Sequence, residues 1–200
     1  MKEKILTEAE SLFWKYGVKS ITMDDIARQL GISKKTIYQH FADKEAIVYQ
    51  VVKDKLERDE KEYQCHFRGA GNPVEEILKV SELLRQHAVT VNPSMMLDVQ
   101  RHYPKAWQVF LKHKEDYILM SIRDNLQRGV REGFYRPDID IDVMARLRIE
   151  SVQLGFDERV FPGARANVMA VQEQLLHHFI RGLLTEKGFS VYNQYNLNTI

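Results

Sequence analysis

The chain has 200 residues, 44% of them apolar and 28% charged, with a formal net charge of +1 and a single cysteine, Cys65. That balance excludes a disordered polar chain, and no apolar run nears the roughly 18 residues that a bilayer span requires. One cysteine excludes an internal disulfide or a thiolate zinc cluster and points to a reducing, cytoplasmic setting.

The opening residues Met1-Lys2-Glu3-Lys4 run straight into an amphipathic pattern, so they read as helix and not as a signal peptide. The first helix is predicted over about 2–16, with Ile5, Leu6, Ala9, Leu12 and Phe13 on one face and Gly17 as its stop. Thr22 suits the N-cap of a second helix, and Asp25 can complete a capping-box variant. That helix carries Ile26, Ala27 and Leu30 inward and ends at Gly31. Ser33 caps a short third helix reaching about His40, anchored by Ile37 and Phe41. Asp43 caps a long fourth one, with Ile47, Val48, Val51, Val52 and Leu56 inward before a charge-rich stretch over 53–62.

All five prolines lie beyond residue 72, at boundaries between later helices. Gly69-Ala70-Gly71-Asn72-Pro73 is the clearest break. After it comes an amphipathic helix with Val74, Ile77, Leu78, Leu84 and Val91, ending at Asn92-Pro93, then a short helix over 94–102. A long helix follows Pro104, carrying Trp107, Phe110, Leu111, Tyr117, Ile118, Leu126 and Val130 as far as Gly133. Arg136-Pro137-Asp138 turns the chain into a helix over about 143–156. Beyond Phe161-Pro162-Gly163 a last helix spans about 166–186, and Gly188 is expected to end it, leaving a loosely ordered Asn/Tyr-rich tail. No alternating strand pattern appears. The chain reads all-α.

A helix-turn-helix needs an apolar seat, a tight turn and a polar outer face on its second helix. Ile26, Ala27, Leu30, Ile32, Ile37 and Phe41 supply the seat, and Gly31 the turn. Between Ala27 and Phe41 the charged residues are Arg28, Lys34 and Lys35, with His40 able to join them. Asp24, Asp25, Asp43 and Glu45 sit outside, where helices begin. A plain helical hairpin would not place a lysine pair at a helix N-terminus, where the dipole disfavours cations. A local basic patch, doubled in a dimer, suffices for DNA despite the small net charge.

These residues resemble the TetR family of bacterial one-component repressors. The match runs through Leu12-Phe13 with Gly17, Thr22 with Asp25-Ile26-Ala27, Gly31-Ile32-Ser33, Thr36-Ile37-Tyr38, His40-Phe41 and Lys44-Glu45, about the first quarter of the chain. Lys35 departs from it, standing where glycine is common. The resemblance implies a DNA-facing set of Thr22, Ser33, Lys34, Lys35, Thr36, Tyr38, Gln39, His40 and Lys44. Tyr38 and Lys44 would grip phosphates, while Lys34, Lys35, Thr36 and Gln39 would face base edges. For Tyr38, a ring bracing the turn is the second reading.

The resemblance further implies a helix-turn-helix three-helix DNA-binding domain over 1–46 followed by a helical ligand-binding and dimerisation domain over 47–200, a homodimer on a palindromic double-stranded DNA operator and an unidentified small-molecule effector. The residues themselves offer no cofactor, metal or membrane partner. Two recognition helices one DNA turn apart, about 34 Å, need a two-fold partner. Ser151 and Gly155 would let a second helix approach closely. For the effector, Met96, Tyr103, Trp107, Phe110, Tyr117 and Met120 form an aromatic and methionine set, with Arg123 to fix a polar group; Met95, Arg101, His102 and His113 lie among them. An enzyme reading has only Cys65 and His177-His178, and adjacent helical side chains diverge by about 100°. No metalloprotease, nucleophile-elbow or phosphate-loop motif is present. A helical interaction module without specific DNA binding is the remaining alternative, and it leaves the basic turn-helix unexplained.

Overall fold

The computed structural model describes residues 1–68, 70–90, 94–157, 159–162 and 164–197. The expected features at Gly69, Val91-Asn92-Pro93 and Gly163 lie outside them. The first four helices are α1 (Lys2–Tyr16), α2 (Met23–Leu30), α3 (Lys34–Tyr38) and α4 (Lys44–Arg68). Next come α5 (Pro73–Thr90), α6 (Ser94–His102) and α7 (Pro104–His113), then a π-helical turn at Lys114–Ile118. The chain closes with α8 (Leu119–Arg131), α9 (Ile141–Leu154), α10 (Ala164–Leu183) and α11 (Glu186–Leu197). Among the described residues the only extended pairing is an isolated bridge between Tyr135 and Leu184, so the all-α reading holds. No described helix is long and apolar enough to cross a membrane.

Two compact units emerge: Met1–Glu60 with Thr90–His113, and Lys61–Val89 with Lys114–Ile200. In the first, Ile5, Ala9 and Phe13 recur every fourth residue and so form one stripe of α1. That stripe is fully buried and shares a core with Ile26, Ala27, Ile37, Ile47, Val48, Val51, Val99 and Ala106. Gly17 stops α1 at φ 82°, a conformation that favours glycine, and donates its N–H to Phe13 O at 2.9 Å. The second unit has its own core, built on Val74, Leu78, Leu119, Leu126, Tyr135, Ala145, Leu176, Ile180 and Leu183.

A buried polar knot ties α5 to α8 in that second unit. The Tyr135 hydroxyl lies 3.0 Å from Pro73 O and 3.1 Å from Asn125 Oδ1. Asn125 Nδ2 donates to Pro73 O at 3.0 Å and to Glu76 Oε1 at 2.9 Å. Arg128 reaches the other Glu76 oxygen at 2.7 Å. Burial together with the Glu76 charge raises the Tyr135 pKa far above the usual phenol value, so the hydroxyl stays protonated as a donor.

Several sequence expectations change here. The tail is helical: α11 runs to Leu197, pinned by Tyr192, which is 1% exposed and hydrogen-bonds His177 Nδ1 at 2.6 Å. Gly188 does not end a helix; it lies within α11, where a Cβ would stand 2.3 Å from Phe134 O. Gly155 admits a neighbour from the same chain, because a Cβ there would meet Gln172 of α10 at 2.4 Å. Ser151 bonds back to Arg148 O at 2.9 Å. The close approach expected at Ser151 and Gly155 is therefore made by α10 of the same chain and not by a second subunit. The long helix expected after Pro104 is interrupted by its π turn.

Candidate nucleic-acid interface

Local chemistry shapes the α2–α3 pair. Thr22 Oγ1 accepts the Asp25 N–H at 3.2 Å, and the Asp25 carboxylate accepts from Thr22 N at 2.9 Å and Thr22 Oγ1 at 2.6 Å. This reciprocal cap satisfies donors that a helix start leaves open and holds the Asp25 carboxyl below its usual pKa. Gly31, at φ 64° and ψ 30°, closes α2 in the left-handed region. Ile32 N–H then reaches back to Ala27 O at 3.0 Å. Ser33 Oγ accepts the Thr36 N–H at 3.1 Å, and the two hydroxyls share a 2.8 Å bond. Helix α3 is five residues long. It is held by the buried Ile37 and Phe41.

Lys34, Lys35, Tyr38, Gln39 and His40 all stand exposed on the outer side, with Thr22 and Ser33 exposed at the two caps and Thr36 half-buried. Tyr38 is 48% exposed, so about half of its side chain is open to solvent and half is covered by the protein. The patch also contains an acid: Asp24 of α2 accepts from Lys34 Nζ at 2.8 Å. That bond raises the Lys34 pKa. Exposed ion pairs are worth about 0–1 kcal/mol, so removing the carboxylate has a bounded effect. Asp24→Asn is expected to tighten binding to random duplex DNA by about two- to fivefold and to steepen its salt dependence, read by anisotropy titrations across a salt series.

Lys44 makes contacts that its sequence position did not announce. Its ammonium turns inward, donating to Val18 O at 2.5 Å and lying 5.9 Å and 5.8 Å from the Phe13 and Tyr103 ring centres. Desolvation lowers its pKa, opposed by the charges of Asp98 and Asp25. The half-buried side chain is thus held within the first unit. Asp43, whose Oδ1 accepts the Ala46 N–H at 2.8 Å, caps that helix as expected.

The proposed effector residues divide between the units. Met96, Tyr103 and Trp107 pack against the first core, and Trp107 stacks on Phe110 with ring centres 4.9 Å apart. Tyr117, Met120 and Arg123 belong to the second unit. There Arg123 pairs with Asp142 at 2.7 Å, and Met120 is 47% exposed, too open to line an enclosed pocket by itself. Sequence reading passed over Arg148, a buried guanidinium of α9 that donates to Ser81 Oγ at 2.9 Å and lies over the Phe179 ring. It also missed how much of α9 faces outward. Val143, Leu147 and Leu154, at 55%, 50% and 41% exposure, share one stripe of that helix. The spacing was visible in the sequence; which side the core would take was not.

Residues 5–51 match the family model described as bacterial regulatory proteins, tetR family. Over 192 residues the chain is 27% identical to the HTH-type transcriptional repressor KstR2 of Mycolicibacterium smegmatis, covering 94% of this chain and 92% of that protein. It is 26% identical over 153 residues to the HTH-type transcriptional regulator UidR of Escherichia coli, covering 74% and 76% of the two chains. In fold it resembles the ketosteroid transcriptional regulator KstR2 of Mycobacterium tuberculosis, with a TM-score of 0.62 at 24% identity over 92% of this chain and 95% of that one. It is also similar in fold to a putative transcriptional regulator from Saccharomonospora viridis in complex with choline, with a TM-score of 0.78 at 19% identity over 92% and 98%.

Proposed function

We propose that this chain, a member of the TetR family of bacterial regulatory proteins, is a repressor that binds a palindromic operator as a homodimer and leaves it when a small molecule binds. The observation that carries the reading is the capped α2–α3 turn, which presents Lys34, Lys35, Tyr38, Gln39 and His40 outward from an apolar seat. Lys34, Lys35, Thr36 and Gln39 take the base-edge role, where lysine suits guanine O6 and N7. Tyr38, His40 and the capped helix starts at Thr22 and Ser33 take phosphates. Repression follows the named role of the KstR2 relatives. Acting on DNA in this way, the protein works in the cytoplasm.

Dimerisation is supported by the outward apolar stripe of α9, where a second copy would cover Val143, Leu147 and Leu154. Met96, Tyr103, Trp107 and Phe110, all in the first unit, are the effector contacts proposed there. Helix α4 starts directly after the reading helices and continues to Arg68, beyond Glu60 where the first unit ends. A tilt of α4 would be carried to α3, which precedes it directly. Full reversal between bound and released states requires the effector to prefer one of them by about 5.5 kcal/mol. Selection of bound sequences from a random duplex pool tests the reading. A two-fold symmetric consensus is expected, and an intact protein that enriches no sequence would overturn it.

A further inference from the structure

We propose that Asp98 and Lys44 are positioning residues for DNA recognition, gripping the single peptide unit between Val18 and Lys19 from its two ends and so fixing the turn from which α2 and α3 are launched. The Val18 carbonyl accepts from Lys44 Nζ at 2.5 Å, and the Lys19 N–H donates to Asp98 Oδ2 at 3.0 Å. In a trans peptide those two groups point in opposite directions. A cation thus sits at the oxygen end of one peptide dipole and an anion at its hydrogen end. Both bonds are charge-assisted, which makes them about twice as strong as neutral ones.

The grip comes from far along the chain. Asp98 lies on α6, 79 residues from Lys19, and Lys44 opens α4, 26 residues from Val18. Between Gly17 and Met23 the turn has two buried apolar anchors, Val18 and Ile21, while Lys19 and Ser20 are exposed. Its backbone direction therefore depends on the clamped peptide. A methionine would fill the space between Phe13 and Tyr103 without desolvating an ammonium, but it would leave Val18 O with only the long 3.4 Å bond from the Ile21 N–H. In sequence, Asp98 stands between Met96 and Tyr103, two of the proposed effector contacts. Occupancy at those residues would reach the DNA-reading helices through α6 by loosening one hydrogen bond. The proposal rests on the operator-binding reading and adds the device that regulates it.

The test uses the full chain and the duplex recovered by selection, with operator affinity, its salt slope, melting temperature and Lys19 amide exchange measured together. Asp98→Ala is expected to weaken operator binding about tenfold, the scale of one hydrogen bond to a charged group. Its salt slope should not change, because no phosphate contact is lost. Asp98→Asn keeps an oxygen that can accept the Lys19 N–H, and it is expected to recover affinity to within about threefold of the unmodified chain and to restore slow exchange at Lys19. Lys44→Met is expected to weaken binding without changing the slope, whereas a direct phosphate contact would lower the slope by about one. Unchanged operator affinity in Asp98→Ala, or an Asn variant as weak as the Ala variant, overturns the clamp. Should Asp98→Ala fail to fold, Asp98→Asn decides: fast Lys19 exchange with normal operator affinity overturns the clamp. A chain that selects no DNA at all overturns the operator reading and the clamp with it; a chain that selects an operator indifferent to Asp98→Ala overturns the clamp alone.

Discussion

Replacing Leu147 with aspartate is expected to leave the chain folded but monomeric, with operator affinity reduced by about 10²-fold or more. Single exposed leucines are ordinary on protein surfaces and carry no argument. Here Val143, Leu147 and Leu154 line one helix, and Phe156, Val160 and Met169 are exposed as well. In a two-fold interface every residue is used twice, so one substitution places two carboxylates in the same contact. Burying an unpaired carboxylate costs several kcal/mol, more than an exposed leucine gives back to the monomer. Losing the partner also removes the second half-site, and linked sites commonly gain about 10²–10⁴ in avidity. Light scattering would report the mass, circular dichroism the fold, and anisotropy the operator affinity. A Leu147→Asp protein that stays dimeric and binds its operator normally would place the subunit contact elsewhere. Val143→Asp, on the same stripe, is expected to behave alike.

Gly129→Ala is expected to lower the melting temperature by about 6–12 °C, without altering any residue of the reading helices. A Cβ at Gly129 would stand 2.0 Å from Tyr135 Cδ2 and 2.3 Å from Cε2, so the ring must move. Overpacking of this kind costs about 1–3 kcal/mol. Moving the ring also pulls its hydroxyl from Pro73 O and Asn125 Oδ1, which lie in a buried setting where a lost partner costs about 1–3 kcal/mol. Alanine is the better helix former by about 1 kcal/mol, which offsets only part of this. The net is about 3 kcal/mol. Tyr135→Phe keeps the ring and removes only the hydroxyl, so its loss should be smaller, about 1–2 kcal/mol. Scanning calorimetry on both variants separates the two contributions, and a Gly129→Ala protein as stable as the parent would show that the ring has room to shift.

The α2–α3 pair was legible because its signals are local. The Thr22 cap and its Asp25 partner lie three positions apart, Gly31 takes the left-handed conformation at the turn, and Ile5, Ala9 and Phe13 declare one face of α1. What could not be read was set by tertiary contact. The inward turn of Lys44 depends on a carbonyl 26 residues away, and nothing in the Lys44-Glu45 motif signals it. Glycine was ambiguous for a physical reason. A missing Cβ serves a left-handed turn at Gly31 and a close approach at Gly188 and Gly155, and the residue type is the same in each. Helix α11 was missed because its Asn-rich sequence has little periodicity, while its anchors, Tyr192 on His177, Tyr195 on Glu82 and Lys187 on Glu132 O, are tertiary contacts. The aromatic set after residue 95 suffered a related confusion. Tyr103 and Trp107 pack against a core, and the residue types that fill a core are those that line an apolar pocket.

The Asp24–Lys34 pair bears finally on time. A regulator must find its operator among about 10⁶–10⁹ competing sites, and it is held at each one mainly by phosphate charge. On the DNA-facing role proposed for Lys34, its pairing with Asp24 would shorten each stay on unrelated DNA and bring the next hop sooner. A carboxylate that weakened the grip on any one stretch would thereby quicken the search along all of them.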